Sequence, residues 1–251
     1  MRIDLNSDLG ESFGPWAMGD DTAMLGIVTS ANVACGGHAS DPETMYQTLR
    51  TASAKGVVIG AHPGYVDREG FGRRVIPMTP AEIARMVAAQ IGALTGVAAL
   101  AGAEVAYVKA HGALANLGAD NRAVADAICE AVAAQPGRLA LLAISGTELE
   151  IAAREAGLPV FSEIFADRGY TPEGRLVPRS QPGAMIHDPA EASDRLLRYL
   201  ETGLMPTVGG DAIPLAAQSI CVHGDSPGAV AMATEVRKRL LAAGVSVESF
   251  L

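Results

Sequence analysis

The fold class this sequence predicts is α/β, a parallel β/α barrel of seven strands, closed or nearly closed. Three observations predict it. Strand-like and helix-like segments alternate along all 251 residues, and parallel neighbours need helical crossovers between them. Almost every strand runs out into chemically capable polar residues, and four of the five histidines lie at such exits, whereas an open sheet gathers its site at one switch point. No linker of Pro/Ser/Gly character divides the chain, so residues 1–251 read as one β/α-barrel domain. An open doubly wound sheet is the second choice.

Strands are expected at 2–6, 31–35, 57–61, 105–109, 139–144, 159–164 and 218–223. Helix starts are written between them. Thr79-Pro80-Ala81-Glu82 is a capping box with proline in the first turn. Ile83, Val87, Ile91, Leu94 and Ala98 follow at amphipathic spacing. Asp41-Pro42-Glu43, Asp188-Pro189-Ala190-Glu191 and Ser226-Pro227 open helices in similar ways, and Gly56, Gly157, Gly203 and Gly244 sit where helices end. The longest irregular stretch, 165–187, is of a length that usually forms a lid or binding loop.

Composition narrows the function. Apolar residues make up 49% and charged residues 19%, which suits a packed soluble domain, and the net charge of −9 argues against nucleic acid or an anionic membrane as partner. Arg73-Arg74 is the nearest approach to a basic cluster and is too short. The three cysteines form no CxxC and no even framework, which points to a reducing compartment. With no leader pattern and no apolar run of membrane-spanning length expected, the location reads as cytoplasmic. Oligomeric state is left open.

The chemistry-bearing residues come in strand-end groups. Alternate residues of a strand share a face, so Asp4, Asn6 and Asp8 point one way, into the barrel, while Ile3 and Leu5 pack under helices. A cap on the following turn is the plainer account of Asp8, and Glu11 fits the site or solvent equally. Lys109 and His111 repeat the same two-residue relation. A lysine in a partly dehydrated pocket binds an anion or works with a lowered pKa, and the histidine can shuttle protons. His38 and His62 hold corresponding positions after their strands, and Asn32 opens the polar run that leads to His38. Asp225 either orients His223 or simply favours the following helix N-terminus. His187 reads as a surface residue. Cys35 reads as a small buried filler, since a nucleophile would need an activated thiolate.

Metal and phosphate signals are weak. There is no HExxH, paired CxxC or EF-hand loop, yet Asp8, His38, His62 and His223 can converge on a divalent ion from separate strands. No GxxxxGK[ST] and no strand-linked GxGxxG is present, and Gly70-Phe71-Gly72-Arg73-Arg74 is the one flexible, basic candidate for an anion.

At these residues the chain resembles the LamB/YcsF family. The resemblance runs through Asp4-Leu5-Asn6-Ser7-Asp8-Leu9-Gly10-Glu11-Ser12-Phe13-Gly14, Ser30-Ala31-Asn32-Val33-Ala34-Cys35-Gly36 and Gly60-Ala61-His62-Pro63. It continues through the glycine–arginine loop, Val108-Lys109-Ala110-His111-Gly112-Ala113-Leu114, Glu163-Ile164-Phe165-Ala166-Asp167-Arg168 and Cys221-Val222-His223-Gly224-Asp225. Departures fall at Gly37, Ser40, Gly64, Ala110 and Ala115, where the family usually carries an aromatic, glycine, serine, proline and tyrosine.

The resemblance implies an incomplete TIM-like barrel of the glycoside hydrolase/deacetylase kind. It implies ATP-dependent opening of the lactam of 5-oxo-L-proline to L-glutamate, with ATP (and Mg) as cosubstrate and PxpB- and PxpC-like partner subunits. On that scheme Asp8 or His62 is the general base, and Lys109, helped by His111, stabilises phosphoryl or oxyanion charge. Arg168 or Arg179 holds the substrate carboxylate. His223 and Asp225 complete a proton path, with Asp4, Asn6, Asn32 and His38 placed at the substrate. Two other classes stay open: a metal-dependent amide hydrolase or deacetylase that needs no ATP, and a non-catalytic substrate-binding subunit.

Overall fold

The structure, a computed structural model, describes residues 1–224 and 228–251. The readings placed on Asp225 and on Ser226-Pro227 therefore lie outside the described residues. Seven parallel strands form the barrel: β1 (Arg2–Leu9), β2 (Ser30–Ala34), β3 (Val58–His62), β4 (Val105–Val108), β5 (Ala140–Ile144), β6 (Val160–Phe165) and β7 (Ser219–Cys221). Each pairs with the next, and β7 pairs back with β1 through Asp4↔Ser219 and Asn6↔Cys221, so the ring closes. The open sheet is thereby excluded.

Helices α1 (Asp21–Met24), α2 (Pro42–Ala54), α3 (Pro80–Ala101), α4 (Gly112–Asp120), α5 (Arg122–Ala133), α6 (Glu148–Glu155), α7 (Pro189–Thr202) and α8 (Ala229–Ala242) surround the ring. The expected starts of α2, α3 and α7 hold, with Asp41, Thr79 and Asp188 as side-chain caps. Gly56, Gly157, Gly203 and Gly244 all take the left-handed conformation at helix ends.

Two details differ from the sequence pattern. β1 runs to Leu9, three residues beyond its expected end, because its polar residues are satisfied inside the ladder: Ser7 Oγ donates to the Val222 carbonyl at 2.7 Å. A bulge at Ala106 shifts the β3–β4 register, so Ile59 faces Val105 while Gly60 faces Tyr107. A Cβ on Gly60 would collide with the Tyr107 ring.

α3 corrects another expectation. At 22 residues, with mean hydropathy 1.6, it is long and apolar enough by composition to cross a membrane. Its place in the fold is that of a core helix. Ile83, Val87, Ile91, Leu94 and Ala98 are buried toward the barrel, α2 and α5, and a complete capping box ends it at Thr79. Each large aliphatic residue buried in this way contributes about 1.5–3 kcal/mol.

The apolar residues fall into two layers. The larger lies between strands and helices and includes Ile3 and Leu5, which face out of the barrel as alternation requires. The smaller fills the barrel's lower end with Tyr107, Ala140, Leu142 and Phe250, with Phe161 packed against it. Phe250 packs on Phe161 and Tyr107 with ring centroids 4.7 and 5.1 Å away. This apolar floor leaves the strands' other ends free to carry a site.

Candidate active site

The inward positions of β1 build the site's foundation. Asp4, deepest and fully buried, accepts hydrogen bonds from Thr29 and Ser30 at 2.6 Å each and from Ser219. Burial raises its pKa to about 6 against the pull of those hydroxyls. One step up, Asn32 donates to Asn6 and Asp8, and Tyr107 donates to Asn32 at 2.6 Å. These groups hold the next layer and, Asp8 apart, do not themselves line the cavity.

That next layer carries the charge. Lys109 Nζ lies 3.0 Å from Asp8 Oδ1 and 2.8 Å from Glu163 Oε2, and also donates to Cys221 Sγ at 3.1 Å. Burial opposes its charge, but Asp8 and Glu163 overcome that and hold its pKa well above the usual lysine value. Lys109 is therefore a fixed cation and not a lowered-pKa base. Burial also works against the Asp8 carboxylate, and His62 and Lys109 still keep it well below the usual range. A buried charge without such partners would cost several kcal/mol.

The histidines divide into two sets. His62 Nδ1 donates to the Lys109 carbonyl at 2.7 Å, which turns Nε2 toward Asp8 Oδ2 at 3.4 Å and His111 Nδ1 at 3.1 Å. His111 Nε2 donates to the Phe71 carbonyl at 2.9 Å. Burial, then His62, lowers the His111 pKa to about 3. His38 stacks on His111 and contacts Glu11 Oε1 at 3.0 Å. Burial first, then His111, holds His38 well below the ordinary histidine value. Across the barrel, His223 Nδ1 lies 2.8 Å from Asp167 Oδ2.

Surrounding elements fix these groups. Gln90 of α3 bonds both the N–H and the carbonyl of Gly64, pinning the turn after His62. Gly37 leaves no room for a Cβ against Gln90, which accounts for the departure there. Arg195 of α7 donates to the carbonyls of Phe165, Ala166 and Arg168, holding the loop that presents Asp167. The glycine–arginine loop supplies the Phe71 carbonyl and brings Arg73 to the cavity.

A cavity of about 460 Å³ opens above this layer, lined by Asp8, His62, Lys109, His111, Glu163 and His223 and rimmed by Arg73, Arg168, Arg175 and Arg179. Burial, then neighbouring Arg179, lowers the Arg168 pKa to about 10, which leaves it charged at neutral pH. Of the residues expected from the sequence, seven meet here: Asp8, His62, Lys109, His111, His223, Arg168 and Arg179. Asp4, Asn6, Asn32 and His38 lie beneath or behind the lining. Ala115 also lines the cavity, so the departure there widens it.

Two acids enter the site that the sequence pattern does not assign to it, and a third, Glu11, takes one of its two open readings. Glu163 sits two residues from Phe161 on the inward face of β6, the relation already used for β1 and β4, and that relation is the signal that finds it. Asp167 is a partner of His223 among the described residues. Glu11 is buried beside His38 and not solvated. Of the metal set expected from separate strands, His38 and His62 recur in the cluster of ligand atoms found among the described residues, Glu11, His38, His62 and His111. Cys35 is the filler expected, its thiol pushed by burial to about 12, and His187 is exposed.

The geometry defines a class: a β/α-barrel protein with a buried lysine–dicarboxylate centre, oriented histidines and an arginine rim. Comparison with known proteins then places it. The LamB/YcsF family model matches residues 3–251, and the chain belongs to that family. It is 52% identical over 99% of its length, and 97% of the relative's, to a 5-oxoprolinase A-type subunit of Agrobacterium fabrum. It is 53% identical over 99% of its length, and 98% of the relative's, to the 5-oxoprolinase A-type subunit of Kocuria rhizophila. The lactam utilization protein of Thermus thermophilus superposes with a TM-score of 0.94 at 42% identity, covering all of both chains.

Proposed function

We propose that this chain is the barrel subunit of an ATP-dependent 5-oxoprolinase, which opens the lactam of 5-oxo-L-proline to L-glutamate with PxpB- and PxpC-like partners. The observation that carries the reading is Lys109, held as a cation between Asp8 and Glu163 at the cavity floor. The names of the relatives support the same substrate class. Three buried free cysteines suit a cytoplasmic setting.

An unstrained five-membered lactam is a poor electrophile, and its closure is favoured. Transfer of the ATP γ-phosphoryl to the amide oxygen couples hydrolysis to ring opening and makes the carbon attackable. ATP enters as cosubstrate with Mg, and in this reading its handling is shared with the partner subunits. The Lys109 ammonium faces the oxygen on which charge develops, where a preorganised cation acts most strongly. Glu163 Oε1, buried without a hydrogen-bond partner, accepts the ring N–H. The arginine rim, with Arg168 and Arg179 on the cavity lining, holds the α-carboxylate.

Asp8 is occupied by Lys109, Asn32 and His62, so the base role falls to His223. Asp167 fixes its Nδ1 and leaves Nε2 to take a proton from the attacking water and return it to the leaving nitrogen, and a second water then hydrolyses the resulting γ-glutamyl phosphate to L-glutamate and inorganic phosphate. The test is a glutamate-release assay with 5-oxoproline, run with and without ATP and both partners. Release must require all of them, and Lys109→Ala must lower turnover by at least about tenfold, the scale of one lost electrostatic contact. ATP-independent release would instead favour the amide hydrolase reading.

A further inference from the structure

The His62–His111 contact does not balance as a hydrogen bond between neutral rings. His62 must use Nδ1–H toward the Lys109 carbonyl, because a carbonyl only accepts, and His111 must use Nε2–H toward the Phe71 carbonyl for the same reason. Neutral rings therefore present two lone pairs to one another, His62 Nε2 and His111 Nδ1, 3.1 Å apart. Either a proton on one ring or a cation beside both relieves that repulsion.

We propose that His62 Nε2, His111 Nδ1 and the Glu11 carboxylate bind one divalent transition-metal ion, of the zinc or cobalt kind, at the barrel mouth. Two nitrogens each about 2.0–2.1 Å from a shared metal stand about 2.8–3.4 Å apart between octahedral and tetrahedral geometry, which brackets the observed 3.1 Å. Glu11 Oε1 lies 3.9 Å from His111 Nδ1, and one ligand atom from each of Glu11, His38, His62 and His111 falls within 4.8 Å of all the others. Metal-bound histidines characteristically donate their second N–H to a carbonyl or carboxylate. Both rings already do so.

His38 takes a different part. Its ring stacks on His111 at a 3.6 Å centroid distance and 3° between planes, so the in-plane lone pairs of the two rings run parallel and do not converge. Its Nε2 contacts Glu11 Oε1 at 3.0 Å, and its Nδ1 has no hydrogen-bond partner. His38 is thus a positioning residue that donates Nε2–H to Glu11 and leaves Nδ1 as a bare acceptor. An ion in this place would supply Lewis-acid polarisation of an oxygen beside Lys109.

The inference is independent of the lactam reading, because metal uptake is measured without substrate, ATP or partners. Full-length protein stripped with chelator is titrated with Co²⁺ alone and Zn²⁺ alone, by calorimetry and visible absorption. The expected result is one Co²⁺ per chain with ligand-field bands that Zn²⁺ displaces. His62→Ala and His111→Ala should each weaken binding by about 100-fold or more and His38→Ala by about tenfold, the range of lost ligands and of their supporting contacts. His187→Ala should bind as wild type does. Glu11→Gln preserves shape and guards against loss of folding in the alanine variants, which circular dichroism checks. Absence of saturable uptake by the wild-type chain, or uptake unchanged in Glu11→Gln and His62→Ala, overturns the proposal.

Discussion

The two ends of the barrel obey the same alternation and hold opposite chemistry. At the floor, Tyr107, Phe161 and Phe250 fill the interior with rings. At the mouth, Asp8, Lys109 and Glu163 fill it with charge, with the polar rings of the histidines beside them. The floor is stabilised by contact area, the mouth only by mutual compensation. An inward strand position therefore specifies where a side chain points and nothing about its polarity. The Tyr107 hydroxyl joins the two regions, its ring in the floor and its oxygen donating to Asn32 under Asp8.

The contrast can be broken first at Lys109. Lys109→Met removes the shared cation and leaves Asp8 and Glu163 buried without it, which should cost about 3–5 kcal/mol. Urea denaturation measures the loss, and Glu163→Gln added to that variant should recover part of it. A loss below about 1 kcal/mol would mean that the mouth is not charge-balanced in this way. At the floor, Phe250→Ala should cost about 3 kcal/mol through cavity formation, while turnover per folded molecule stays unchanged.

Asp4 sharpens the boundary between the ends. Its folded pKa of about 6 lies above the ordinary 3.8, so the folded chain binds the extra proton between those values. Stability contributed by this group is full at low pH and falls as pH rises from about 4 to 6, by up to about 3 kcal/mol at 1.4 kcal/mol per pH unit. The difference in unfolding free energy between wild type and Asp4→Asn should follow that fall. A difference independent of pH would remove Asp4 from the account. The smallest expected effect is at Asp167, where Asp167→Asn should lower turnover by about tenfold through loss of His223 orientation. Its stability should change by less than that of Lys109→Met.

Much of the mouth is legible in the sequence because period two is a hard rule of strands. It puts Asp4, Asn6 and Asp8 on one face and pairs Lys109 with His111 from their spacing alone. The same rule applied to β6 adds Glu163. The floor is not legible, since only the return of the chain places Phe250 between Tyr107 and Phe161, over 80 residues from either. The bulge at Ala106 is equally hidden, being set by how the Tyr107 ring fits against Gly60. Sequence proximity offers His223 no sign of Asp167, which a loop clamped by Arg195 delivers from 56 residues away.

Closure of the ring through β1 and β7 also governs assembly. β1 meets β2 after some 20 residues of chain but waits for residues 219–221 to cover its other edge. Pairings of such high sequence separation form slowly, and a β1 edge left unpaired until then is the usual template for aggregation. Its inward face is then Asp4, Asn6 and Asp8, two charges and an amide in eight residues. The residues that serve the finished cavity thus also keep the waiting edge soluble.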